Sequence, residues 1–339
     1  MARKKNIRFL LKQELNTMAS YGRSKYDDQK LTEQERRKQR ANGVSYRESL
    51  RTDYCKKHIY SYVTMKTYQK NINQFANYLE MSGHKKISIE ESKKYIQPYI
   101  DYLMSKNLTS ATIHNYLAAA CKATGAYLFD YEHPSRSVAK ITKGVKPVDL
   151  DAISDPLVKM TLEANRLLGL RHSELMRLKA GDILEKDDFV IVRSVGKGGK
   201  QNQQLFIFED EKEAVLKLKE GKTDNERVFP KSYFRQKNYH KMRELRAKDL
   251  YERVCRDMET RGEVARQEYQ DIIKTVFAEN HKTLKENLDN PVYVRSENRE
   301  RLMKAGRSIV YDRTALLFVS VSVTSHFRSS VTLNHYVAK

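Results

Sequence analysis

Apolar positions in the first half of the chain recur at helical spacing. In KTYQKNINQFANYLEMSG (66–83), Tyr68, Ile72, Phe75 and Leu79 stand at i, i+4, i+7 and i+11, one stripe of a helix that Gly83 then ends. Ser88 with Glu91 forms a capping-box signature ahead of SKKYIQPYIDYLMSK. Pro98 inside that segment predicts a kink or a restart. Thr109 or Ser110 caps the next helix, ATIHNYLAAACKATGAYL. Together these predict a compact all-α domain over residues 54–135, its stripes forming the core. Residues 1–53 are polar, basic and weakly patterned, with the densest charge run at QERRKQR (34–40). They predict an N-terminal arm, either a solvated or floppy element or a holder of anions. HPSRSVAKITKGVKPVD (133–149) carries two prolines, a glycine and several lysines, and predicts a basic linker over 136–149.

The second half changes character. DPLVKMTLEANRLLGL predicts a helix, and RHSELMRLKAGDI a turn followed by another. FVIVRSV (189–195) and QNQQLFIF (201–208) flank GKGGK and predict a β-hairpin with a glycine-rich turn. From residue 210 the pattern is helical again. ALLFVSVSV (315–323) is β-branched but predicts a buried helix in this context. The expected fold class is mainly α with a small β-hairpin or sheet. An all-α domain precedes an α+β domain over 150–339, which contains a charged helical insertion at about 256–312.

Charge narrows the partner. The 339 residues include 64 Lys and Arg against 43 Asp and Glu, a formal net charge of +21. A chain this basic suits a polyanion, meaning DNA, RNA or an acidic membrane surface. No apolar run approaches the roughly 18–20 residues a membrane span needs. The apolar stretch near the N-terminus is broken by Arg8 and ends at Lys12, too short for a signal peptide, so an intracellular protein is expected. Cys55, Cys121 and Cys255 stand far apart, which points away from a disulfide framework and from structural zinc.

Several short motifs are ordinary when taken singly. GLRHSEL (169–175) can be a helix boundary, and GKGGK (196–200) a hairpin turn. HKMR (240–243) can be two exposed side chains, and Tyr336 a packing residue. In chain order they run Arg171, Lys197, His240-x-x-Arg243, His326, Tyr336. This order resembles the tyrosine recombinase (phage integrase) family. The stretch TYQKNINQFANYL (67–79) is similar to that family's helical core-binding domain. The resemblance spans about residues 54–339. It implies that these six side chains assemble one site, with Tyr336 as nucleophile on a short helix.

The chemistry supports those residue types independently. A tyrosine that attacks phosphorus conserves the bond energy as a phosphotyrosine, ready for reversal. A phenol with a pKa of about 10 needs help to lose its proton. Two guanidiniums suit the non-bridging oxygens of a phosphodiester as charge builds on it, a job for Arg171 and Arg243. Lys197 suits the general acid for the leaving 5′-oxygen, and His326 a donor to a phosphate oxygen. His240 suits a proton acceptor near the tyrosine, or a group that orients its neighbours. No cofactor and no metal is expected.

Departures from the family pattern are visible. Glu244 follows Arg243, Thr324-Ser325 replaces the usual Leu-Gly before the late His, and Arg299 and Arg307 stand as rivals to Arg243. The insertion could be a lid, a DNA contact, a partner surface or a solvated helical insert. The expected activity is site-specific cutting and rejoining of DNA for integration and excision of a mobile element. Expected partners are double-stranded DNA at specific recombination sites, further copies of the chain in a tetrameric synapse, and accessory DNA-bending or directionality factors, with no membrane. The expected location is the cytoplasm, at the nucleoid, in a bacterium. Type IB topoisomerase-like relaxation and a catalytically decayed DNA-binding accessory protein are the alternatives.

Overall fold

Asn6 starts the first described helix by accepting the Arg8 N–H on its side chain. The computed structural model describes residues 5–135, 149–186, 188–196, 199, 201–234 and 239–338. The chain divides into two units, Met1–Thr142 and Lys143–Lys339. It is mainly α-helical with small antiparallel sheets. No helix among the described residues is long and apolar enough to cross a membrane.

The first unit is all-α. It runs α1 (Ile7–Thr17), α2 (Lys25–Ala41), α3 (Tyr46–Ser49), α4 (Tyr62–Met81), α5 (Ile89–Ser92), α6 (Ile96–Ser105) and α7 (Ser110–Thr124). Ile72, Phe75 and Leu79 of the α4 stripe are fully buried, and Phe75 packs on Tyr99 with ring centroids 5.0 Å apart. The Ser88–Glu91 capping box forms. The chain restarts as α6 at Ile96, so Pro98 falls in a first turn, where its missing N–H has no intrahelical partner to lose. Thr109 is the cap of α7.

Within the expected arm, the described residues 5–53 are helical in part, and α1 packs into the core of the unit. Ile7, Leu11 and Leu15 of α1 are fully buried in the same core as α4, α6 and α7. Arg8 is paired with Glu80 of α4 at 2.6 Å. These residues, at i, i+4 and i+8, form a seam that Leu10 extends and that Arg8 and Lys12 interrupt in the sequence. The charge run 34–40 lies on α2, which buries only Asp28 and Thr32 and so is a solvated helix. The linker expected at 136–149 falls, apart from Asp149, outside the described residues.

The second unit begins with α8 (Pro156–Leu168) and α9 (His172–Leu175). The sheet comes next, β1 (Ile183–Glu185), β2 (Val190–Val195) and β3 (Gln201–Phe206), antiparallel in that order with Ile191 opposite Leu205. The predicted hairpin is therefore present with a third strand. In RHSELMRLKAGDI a single turn of α-helix and a 3₁₀ turn, Ala180–Asp182, form before β1. Gly181 is wedged there: a Cβ would meet the Asp224 Cβ at 2.9 Å.

The remaining elements are α10 (Glu209–Lys217), α11 (Tyr239–Arg261), α12 (Glu263–Glu279), β4 (Val292–Tyr293), α13 (Ser296–Lys304), β5 (Val310–Tyr311), α14 (Arg313–Val319) and α15 (Ser329–Thr332). The last two run on into π-helical turns, Ser320–Thr324 and Leu333–Val337. Residues 315–323 are buried on every side, which explains an apolar run inside a helix. The charged region from 256 is no solvated insert throughout. Ala265, Tyr269, Ile273 and Phe277 of α12 are buried in the core, with Tyr269 against Phe318 at 4.8 Å between centroids.

Candidate active site

Gly169 ends α8 in the left-handed region, at φ 65°. A Cβ at this position would lie 2.7 Å from the Val323 Cγ1, so only glycine fits. Asn165 fixes the corner beyond it: its Oδ1 accepts the Leu170 N–H at 2.9 Å, and its Nδ2 donates to the Leu170 carbonyl at 3.0 Å. The chain then presents Arg171 at the start of α9.

Glu174 ties the two arginines together. Its Oε1 accepts from the Arg171 Nη1 at 2.6 Å and its Oε2 from the Arg171 N–H at 2.8 Å. The same carboxylate lies 3.9 Å from the Arg243 Nη1. Asn202 on β3 donates to it at 3.4 Å, which links the sheet to the site. The Glu174 side chain is 1% exposed and that of Arg171 38%, so one anion holds a half-exposed and a buried guanidinium.

Arg243, on α11, is fully buried. It donates to the Gly169 carbonyl, and through Nη2 to the Thr324 carbonyl at 2.8 Å. Burial pushes its pKa down from the usual arginine value. Tyr336 and Glu174 oppose that shift, and Arg171 adds to it. Among the described residues its Nε meets no hydrogen-bond partner. Of the rival arginines, Arg299 is exposed and Arg307 donates to the Val337 carbonyl at 2.8 Å.

Tyr336 sits in the π-helical turn Leu333–Val337 and is 5% exposed. Its hydroxyl lies 3.4 Å from the His326 Nε2. The His240 ring stands 5.8 Å from its ring, between centroids. The phenol is also near enough to Arg243 to act on its charge. His326 is flanked by two non-glycine residues in the left-handed region, Ser325 at φ 52° and Phe327 at φ 57°. Ser325 takes the very conformation for which a glycine is suited. Glu286 caps the start of the last helical segment by accepting from the Ser329 N–H at 3.1 Å and from its hydroxyl.

The structure thus places Arg243, His240 and His326 beside Tyr336, and Glu174 joins Arg171 to Arg243. Lys197 lies outside the described residues. Sequence reasoning assigned no role to Glu174 or Glu286. Glu174 had a signal, one turn after Arg171 in GLRHSEL, but an i, i+3 pair reads as a surface contact. Chemically, the arrangement offers two guanidiniums locked in place, a phenol and two imidazoles. Among the described residues no cluster of His, Cys, Asp and Glu is placed to hold a metal ion.

No protein-family model and no curated protein sequence matches the chain. Among solved structures, the chain is similar to the XerH site-specific recombinase bound to palindromic difH substrate in a post-cleavage complex. Identity is 15% and the TM-score 0.41, over 88% of this chain and 93% of that one. A pre-cleavage complex of XerH with difH substrate gives 14% identity and a TM-score of 0.38, over 75% and 88%. The XerA recombinase gives 16% and 0.21, over 81% and 88%. Likeness at this level is distant.

Proposed function

We propose that the chain is a site-specific DNA recombinase that cuts and rejoins strands through Tyr336, serving integration and excision of a mobile element. The observation that carries this reading is the convergence on one phenol. His326 is 3.4 Å from the Tyr336 hydroxyl, and Arg243 is next to it. Glu174 holds Arg243 and Arg171 in one ion-paired group.

In this reading the scissile phosphate binds against the two arginines. The half-exposed Arg171 guanidinium supplies donors for its non-bridging oxygens, and the buried charge of Arg243 stands behind it. These donors are fixed before charge builds up, which is the condition for large electrostatic stabilisation. The Tyr336 oxygen forms a bond to phosphorus while the bond to the 5′-oxygen breaks. The phenolic proton passes to an imidazole, His240 being the acceptor and His326 the donor to a phosphate oxygen. Lys197 protonates the leaving 5′-oxygen. The 3′-phosphotyrosine keeps the energy of the broken bond, so a 5′-hydroxyl from a second duplex reverses the step on a new partner.

The net charge of +21 supplies the affinity for the duplex, so binding falls steeply as salt rises. Double-stranded DNA sites, further copies of the chain in a tetrameric synapse, and accessory bending or directionality factors complete the proposed assembly.

The test is strand exchange between two differently labelled duplexes that carry candidate element ends. Recombinant products with the intact chain, and none with Tyr336→Phe at undiminished DNA binding, are expected. Relaxation of any supercoiled plasmid without site preference would replace this reading with a topoisomerase. Binding without any cleavage would replace it with an accessory protein.

A further inference from the structure

Residues 290–312 form a two-stranded ribbon, β4 with β5, and α13 lies between its strands in sequence. They build a small apolar cluster of their own. Val294, Leu302 and Tyr311 pack with Leu316 and with Leu333, Val337 and Ala338 of the tyrosine segment. Two arginines extend that contact. The Arg301 Nη2 donates to the Ala338 carbonyl at 2.7 Å, and the Arg307 Nη2 to the Val337 carbonyl at 2.8 Å.

Those carbonyls stand at the C-terminal end of the turn that carries Tyr336. A helix end has carbonyls without intrahelical partners and a partial negative charge, and both are met here by guanidiniums. The ribbon is itself braced. Arg266 donates to Asp312 at 2.8 Å, and the Asp312 N–H donates to the Tyr251 hydroxyl at 3.0 Å. Tyr251 belongs to α11, the helix of His240 and Arg243. One frame therefore joins the buried arginine to the tyrosine's turn.

We propose that residues 290–312 are a built-in dock for the Tyr336 turn, with Arg301 and Arg307 as positioning residues that hold its hydroxyl beside Arg243 and His326. The catalytic consequence rests on Tyr336 as nucleophile; the clamp itself does not. The two outside donors bond carbonyls at the end of that turn and so set where the phenol rests. A nucleophile displaced by about 1 Å loses up to about a hundredfold in rate.

The test uses the full chain with Arg301→Gln, Arg307→Gln and the double variant, and with Lys at the same positions. Three quantities are read: amide hydrogen exchange over 329–338, affinity for a nicked duplex, and the rate of covalent adduct formation at saturating DNA. The double Gln variant should bind DNA within about twofold of the parent, exchange this segment about tenfold faster or more, and form adduct roughly tenfold more slowly or worse. Gln keeps a donor but no charge, whereas Lys keeps both the positive charge and the reach to these carbonyls, so the Lys variants should recover the rate to within about threefold. Unchanged exchange overturns the dock. Faster exchange with an unchanged or increased adduct rate overturns the positioning role. A parent chain that forms no adduct removes the nucleophile, and the positioning role with it, while exchange still decides whether the dock exists.

Discussion

Replacing Glu174 by Gln keeps the side chain's shape and removes its charge. The carboxylate lies 2.6 Å from Arg171 and 3.9 Å from Arg243. The Arg171 side chain is 38% exposed, so water screens much of that pair. Arg243 is 0% exposed, and its attraction to Glu174 at 3.9 Å is about 4 kcal/mol gross at an effective dielectric of about 20. Breaking a buried pair from one side costs about 3–5 kcal/mol. Arg243 keeps two carbonyl acceptors, which lowers the expected cost to about 2–3 kcal/mol. At about 2–4 °C per kcal/mol for a unit of this size, the second unit should melt about 5–10 °C earlier by scanning calorimetry. A bound phosphodiester supplies the missing anion, so saturating duplex DNA should narrow the gap between the two proteins. A loss below about 1 °C, or a gap that DNA leaves unchanged, would refute the bridging role of Glu174.

Gly169→Ala forces a Cβ to within 2.7 Å of Val323 and 3.0 Å of Arg246 at φ 65°. The left-handed backbone costs about 1 kcal/mol and the crowding about 1–3, so urea unfolding should show a loss of about 2–4 kcal/mol. Burial pushes the thiols of Cys121 and Cys255 up to about 11. Iodoacetamide at about pH 8 should therefore label both slowly until denaturant is added, as peptide mass spectrometry would record. Burial also lowers Lys122 to about 8, although it donates to the Cys55 and His58 carbonyls. Unfolded, this lysine holds its proton to about pH 10.4, so between pH 8 and 10 the unfolded chain binds more protons and folding gains as pH rises. The stability difference between the parent and Lys122→Met should shift toward the parent over that range, and a flat difference would contradict the assignment.

The helices of the first unit were legible because their stripes are clean: Ile72, Phe75 and Leu79 are all fully buried. Helix α1 was not, because Ile7, Leu11 and Leu15 stand beside apolar Phe9 and Leu10 as well as Arg8 and Lys12, which blurs the stripe until α4 supplies the other wall. Helix α12 was hidden the same way, by charge on its outer face. Strand β1 is only three residues long and carries no alternation to detect. In the site, residue order pointed to arginines, imidazoles and a phenol that the fold gathers. What order could not display was how they are held. Glu174 is buried only because α11 and β3 close over it. Arg307, a rival to Arg243 in the sequence, turns out to hold the tyrosine's turn. The positive φ of Ser325 and the π-helical turns are tertiary outcomes with no local signature.

Attack of Tyr336 on phosphorus, as proposed, is open to direct trapping. A nicked suicide duplex bearing a candidate element end should trap the protein on DNA, and mass spectrometry of the DNA-linked peptide should place the phosphate on Tyr336. An adduct on any other residue, or one that survives Tyr336→Phe, would contradict it.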